Sequence, residues 1–147
     1  MKKLFSLEKL FWAVAVFSSV AFFAWILATK KPPAPVVHWH APISYEICGE
    51  PFSPPERENH GLVHGHGDGR AHIEGRLSEP SNTTLGKFMD AIGVPFSKTQ
   101  FSKYKNGEKC PGKNRAAKVR VFVDGAENFQ FRDLPLRDAE NIKITFE

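Results

Sequence analysis

Residues 10–28, LFWAVAVFSSVAFFAWILA, run for 19 positions without a charge. As a helix this stretch is about 28 Å long, close to the thickness of a bilayer core. It is apolar on every side, whereas a helix packed on a soluble core keeps one polar face. Trp12 and Trp25 stand near its ends, where aromatic belts form at membrane interfaces. Lys2, Lys3 and Lys9 precede or enter it, and Lys30 and Lys31 follow. A cleaved signal peptide is the competing reading. Such a peptide has an apolar part of about 7–15 residues and a small-x-small cleavage site. Here the run is longer, Trp25-Ile26-Leu27-Ala28 lacks that site, and Ser19-Val20-Ala21 lies inside the run. Residues 1–31 are therefore expected to be an uncleaved signal-anchor and transmembrane segment.

Pro32-Pro33-Ala34-Pro35 forms an extended spacer over residues 32–35, and residues 36–147 remain for one domain. Three lysines before the run against two after it lean towards an inside N-terminus. The domain is then expected on the periplasmic or extracellular side of a cell (inner) membrane. The net charge of +4 belongs to the anchor: the rest of the chain carries 15 basic and 15 acidic residues. This balance gives no support for a nucleic-acid partner. Cys48 and Cys110 are an even pair, and in an exported domain they read first as a disulfide.

Within the domain, Ile43, Tyr45 and Ile47 alternate with polar residues as in a half-buried strand, and Gly49 stops it. Residues 50–63 are rich in proline and charge and read as a loop. After the Asp68-Gly69 turn, residues 70–77 read as a second strand, with Ala71 and Ile73 on one face and His72 and Glu74 on the other. Thr83 or Thr84 then caps a helix whose Leu85, Phe88, Met89 and Ile92 share a face, and Gly93 and Pro95 end it. Residues 97–118 carry seven basic residues against Glu108 alone. They read as a long solvated connection, with a docking patch for an anionic surface as the alternative. Val119, Val121 and Val123 alternate, Asp124-Gly125 turns, Phe129 and Phe131 alternate, and Ile142, Ile144 and Phe146 form a last strand. Strands and helix are not regularly interleaved. The expected fold class is α+β, with one helix packed on a mixed or antiparallel sheet.

All six histidines lie between positions 38 and 72. His38-Trp39-His40 and His64-Gly65-His66 are H-x-H pairs, and on an extended strand residues two apart share a face. His72 and Glu74 share a strand face by the same period, and Trp39 should point into the core. If the strand that begins at His38 neighbours the strand of His72, imidazoles and carboxylates converge. Residues 38–79 hold seven acidic residues against three arginines, a balance suited to a cation. Imidazole suits zinc, copper, nickel and iron. The expected metal set is His38, His40, His64, His66 and His72, with Asp68 and Glu74 placed more to orient imidazoles than to bind the ion. His60, in the proline-rich loop, is expected to be solvated.

The tail, KVRVFVDG over residues 118–125 and LRDAENIKITFE over 136–147, resembles the β-grasp (ubiquitin-like) fold. The chain departs from active members of that fold: it has no C-terminal Gly-Gly and no four-cysteine iron–sulfur spacing. The resemblance thus implies a β-grasp-like mixed sheet and no activity. His38 and His40, then HGHGDGRAHIEG from His64 to Gly75, then TLGKFM from Thr84 to Met89 also resemble a group of membrane-anchored, histidine-rich extracytoplasmic proteins. That likeness implies common ancestry and no particular chemistry.

Three functions are compatible with these residues. A module holding, delivering or sensing copper or zinc outside the cytoplasm comes first, and the lack of a Met-rich tract favours copper(II) or zinc(II) over copper(I). The second is a metal-dependent hydrolase with Glu74 as base, but no H-E-x-x-H, no deaminase P-C-x-x-C and no Gly-x-Ser-x-Gly elbow supports it. The third is an accessory subunit that packs on other subunits of a membrane complex, with a structural metal or none.

Overall fold

The computed structural model describes residues 7–55, 57 and 60–147. The chain divides after Pro33 into two units. The first contains α1 (Leu7–Thr29), 23 residues with no buried side chain. At 1.5 Å per residue it spans about 35 Å, and it is long and apolar enough to cross a membrane.

The second unit is α+β. It contains β1 (Val36–Ile47), β2 (Glu50–Pro51), β3 (Val63–His64), β4 (Arg70–Arg76), α2 (Leu85–Ala91), β5 (Phe96–Ser97), β6 (Gln100–Phe101), β7 (Tyr104–Lys105), β8 (Val119–Val123), β9 (Ala126–Asn128) and β10 (Ile142–Phe146). Short 3-10 turns lie at Pro80–Asn82 and Phe131–Asp133. The main sheet runs β3-β4-β1-β10-β8-β9, with β2 folded back on β1. It is mixed: β1 and β10 are parallel, and the other neighbours are antiparallel. One helix and a mixed sheet meet the expectation of an α+β domain.

β1 positions the site because it changes partner along its length. Val36 to Pro42 pair with β4, and Ile43 to Ile47 pair with β10. Pro42, which has no N–H to donate, sits at the changeover. The two-residue period of β1 puts Ala41, Ile43 and Tyr45 in the core and packs Val37 and Trp39 against it. His38 and His40 therefore face the other way.

α2 closes the core with Leu85, Phe88 and Met89, and Ile92 follows at its C-cap. Thr84 caps its start by accepting from the Lys87 N–H, and Gly93, with φ +71°, leaves it in the left-handed conformation that glycine takes freely. Arg132 donates to both oxygens of Asp90 and to the Phe96 carbonyl, tying the second 3-10 turn to α2.

Three expectations need correction. Residues 97–118 are not a solvated connection throughout. Together with Phe96 they form a three-stranded sheet, β5-β6-β7, and Phe101 is fully buried between Tyr45, Phe52 and Phe96. Cys110 is buried too, in a disulfide with Cys48 that fastens this segment to the end of β1. Residues 50–63 are a loop only in part, since β2 and the first residue of β3 lie there. Phe129 and Phe131 do not alternate in a strand: the strand ends at Asn128, Phe129 is exposed, and Phe131 begins the 3-10 turn.

Candidate metal centre

The pairing of β1 with β4 sets His38 opposite Glu74 and His40 opposite His72, and the pairing of β3 with β4 sets His64 opposite His72. His40, His72 and His64 thus form a row across three strands. Directly opposed residues on antiparallel strands hold their Cβ atoms about 4.5–5.5 Å apart, within reach of ring-to-ring contact. His66 joins the row from the loop after β3, with its ring centroid 4.6 Å from that of His72 and 4.8 Å from that of His64. His38 extends the row at the other end, 4.7 Å from His40. Five of the six histidines share one patch. His60 is exposed and belongs to neither ligand group among the described residues.

Two groups of possible ligands occupy the patch: His64, His66 and His72, and His38, His40 and Glu74. Within each group the ligand atoms lie within 4.8 Å of one another. In the second group His38 Nε2 stands 3.2 Å from His40 Nε2 and 3.3 Å from Glu74 Oε1. Two ring nitrogens this close need either a proton or a cation between them. His72 Nδ1 is 3.8 Å from the same Glu74 oxygen. An ion with tetrahedral bonds of about 2.0–2.1 Å needs ligand atoms roughly 3.3–3.4 Å apart. The His38–His40 and His38–Glu74 pairs stand at that spacing, and His72 Nδ1 lies somewhat further from Glu74.

Hydrogen bonds hold two of the buried rings. The carbonyl of Gly61 accepts from His64 Nδ1 at 2.9 Å, which leaves Nε2 with its lone pair outward. His72 Nε2 lies 3.0 Å from Asp68 Oδ2. Burial raises the Asp68 carboxyl, but the hydrogen bond and charge of His72 and the N–H groups of Arg70 and Asp68 outweigh it and hold the acid below its usual range. Asp68 thus stands on the Nε2 side of the His72 ring, within hydrogen-bond distance of it. Glu74 Oε1 stands among the ring nitrogens of His38, His40 and His72. Gly65 lets the loop between the paired histidines approach α2, where an added Cβ would meet Ile92 and Phe88 at 3.1 and 3.4 Å.

Two positioning groups had no signal in the sequence. Asp138 Oδ1 accepts from the His40 N–H at 3.0 Å, and the Ala139 N–H donates to the His40 carbonyl. They occupy the edge of β1 that β10 does not reach. With His64 and His72 buried and His38 and His66 exposed, the patch has a firm floor and an open rim.

The chain matches no protein-family model, no curated protein and no solved structure. Chemical assignment therefore rests on the geometry of the patch.

Proposed function

We propose that the chain is a membrane-anchored extracytoplasmic protein that binds a divalent transition metal, copper(II) or zinc(II), on the outer face of its sheet. One observation carries this reading: imidazoles from β1, β3, β4 and the loop after β3 gather with Glu74 in one patch, as two groups whose ligand atoms each lie within 4.8 Å of one another. Imidazole nitrogen with one carboxylate suits these two ions and gives magnesium or calcium too few oxygens. His72, buried and held by Asp68, has the support that metal-bound imidazoles have.

The Cys48–Cys110 disulfide supports the compartment, because disulfides persist outside the reducing cytoplasm. The apolar α1 and its flanking lysines support the anchor. The exposed His38 and His66 give the ion a solvent-facing side, which fits a protein that holds and hands on its metal better than a closed structural site.

The test uses the full chain in mild detergent, stripped with chelator, reloaded with zinc or copper, desalted and analysed for metal. At least one ion per chain is expected. A His38→Ala/His40→Ala double variant should lose at least one bound ion while keeping the circular dichroism of the parent. A parent chain that retains no ion, or a variant that retains as much, contradicts the reading.

A further inference from the structure

His72 is the only histidine whose two ring nitrogens both face carboxylates among the described contacts. Nδ1 lies 3.8 Å from Glu74 and Nε2 lies 3.0 Å from Asp68. Its ring is flanked with near symmetry: the centroids of His40 and His66 are each 4.6 Å away, at interplanar angles of 82° and 74°. On the Nδ1 side stands Glu74, whose Oε1 also meets His38, which in turn meets His40; the Nε2 side faces Asp68, on the loop that carries His66. His72 is thus shared between two ligand groups.

We infer that the patch is a two-ion centre in which the imidazole of His72 bridges the metals. One ion takes His38, His40, Glu74 and His72 Nδ1. The other takes His64, His66 and His72 Nε2, with Asp68 beside that nitrogen. Each set has three imidazoles, so the two sites favour the same class of ion. The second ion takes the position of the Nε2 proton that Asp68 otherwise accepts, and that proton leaves to solvent. This rests on the metal-binding reading above, and it adds to it a stoichiometry, a ligand division and an electronic link between the ions.

Copper(II) titration of the detergent-solubilised full chain, followed by electron paramagnetic resonance and by bound-metal analysis, tests it. A bridging imidazolate couples two copper(II) spins antiferromagnetically. The integrated signal should therefore rise over the first equivalent and fall over the second, while bound copper reaches two per chain. His66→Ala, at an exposed position, should stop binding near one equivalent and leave a full signal. His72→Ala should weaken both equivalents together and abolish the coupling. Two equivalents with an additive signal, saturation of the parent chain at one, or a His72→Ala variant that weakens only one equivalent overturns the bridge while leaving metal binding intact. A parent chain that binds no copper overturns the metal reading itself.

Discussion

His40 and His72 stand directly opposite one another on antiparallel neighbours, with their ring centroids 4.6 Å apart and their planes nearly perpendicular. The pair joins the two ends of the histidine row. It exists only in this register, because a slip of one residue along either strand turns one ring into the core. The adjacent Ala41, opposite Ala71, is fully buried, so the core has no room for an imidazole there.

Exchanging the two positions tests that relation. A His40→Ala/Ala41→His variant keeps composition and moves one imidazole across the sheet. Burying it among apolar groups should cost about 2 kcal/mol or more. Urea unfolding should show the loss, and metal analysis should show weaker retention. Unchanged stability contradicts the assigned facing of β1.

The disulfide closes a separation of 62 residues, and on loop entropy it should stabilise the folded domain by about 4 kcal/mol. Reduction, or a Cys48→Ser/Cys110→Ser double variant, should lower the urea midpoint accordingly, read by circular dichroism. A shift of only a few tenths of a kcal/mol would mean that residues 97–118 hold their place without it.

Gly86 faces Arg132 so closely that an added Cβ would stand 2.9 Å from both its Cβ and its carbonyl oxygen. Alanine is the better helix former by about 1 kcal/mol. Overpacking against backbone costs more, typically about 1–3 kcal/mol. Gly86→Ala should therefore be net destabilising by about 1 kcal/mol in denaturant unfolding. A stabilised variant would show that the 3-10 turn yields easily.

Arg120 donates to both carboxylate oxygens of Glu127 and to Glu147, and these hydrogen bonds with the attendant charge hold the Glu127 carboxyl below its usual range. Its contribution to stability is therefore complete above the ordinary glutamate pKa and is lost as the pH falls through the lowered folded value. Carbon-detected NMR titration should place the Glu127 midpoint below that of a free glutamate, and Arg120→Gln should raise it. Equal midpoints in the two proteins would remove Arg120 as the cause.

Much of this was legible in the sequence because it follows from short periods. The facing of His38 and His40, the split of Ala71 and Ile73 from His72 and Glu74, and the apolar stripe of α2 all follow from two-residue or helical spacing. The strand register was not legible. Only the pairing decides that Glu74 meets His38 rather than another residue of β1, and this is why its oxygen reads as a ligand in the fold and as an orienting group in the sequence. β5, β6 and β7 are two residues each, too short for any periodic signal. What buries Phe101 is contact with Tyr45 and Phe52, roughly half the domain away in sequence. Asp138 is 98 residues from the His40 N–H it caps, and no local pattern marks it.

X-ray absorption at the zinc edge of the zinc-loaded full chain tests the central claim most directly. The account predicts nitrogen and oxygen neighbours at about 2.0–2.1 Å with strong outer-shell scattering from three imidazoles per ion, reduced in a His38→Ala/His40→Ala variant. A spectrum of hydrated zinc without imidazole scattering would contradict it.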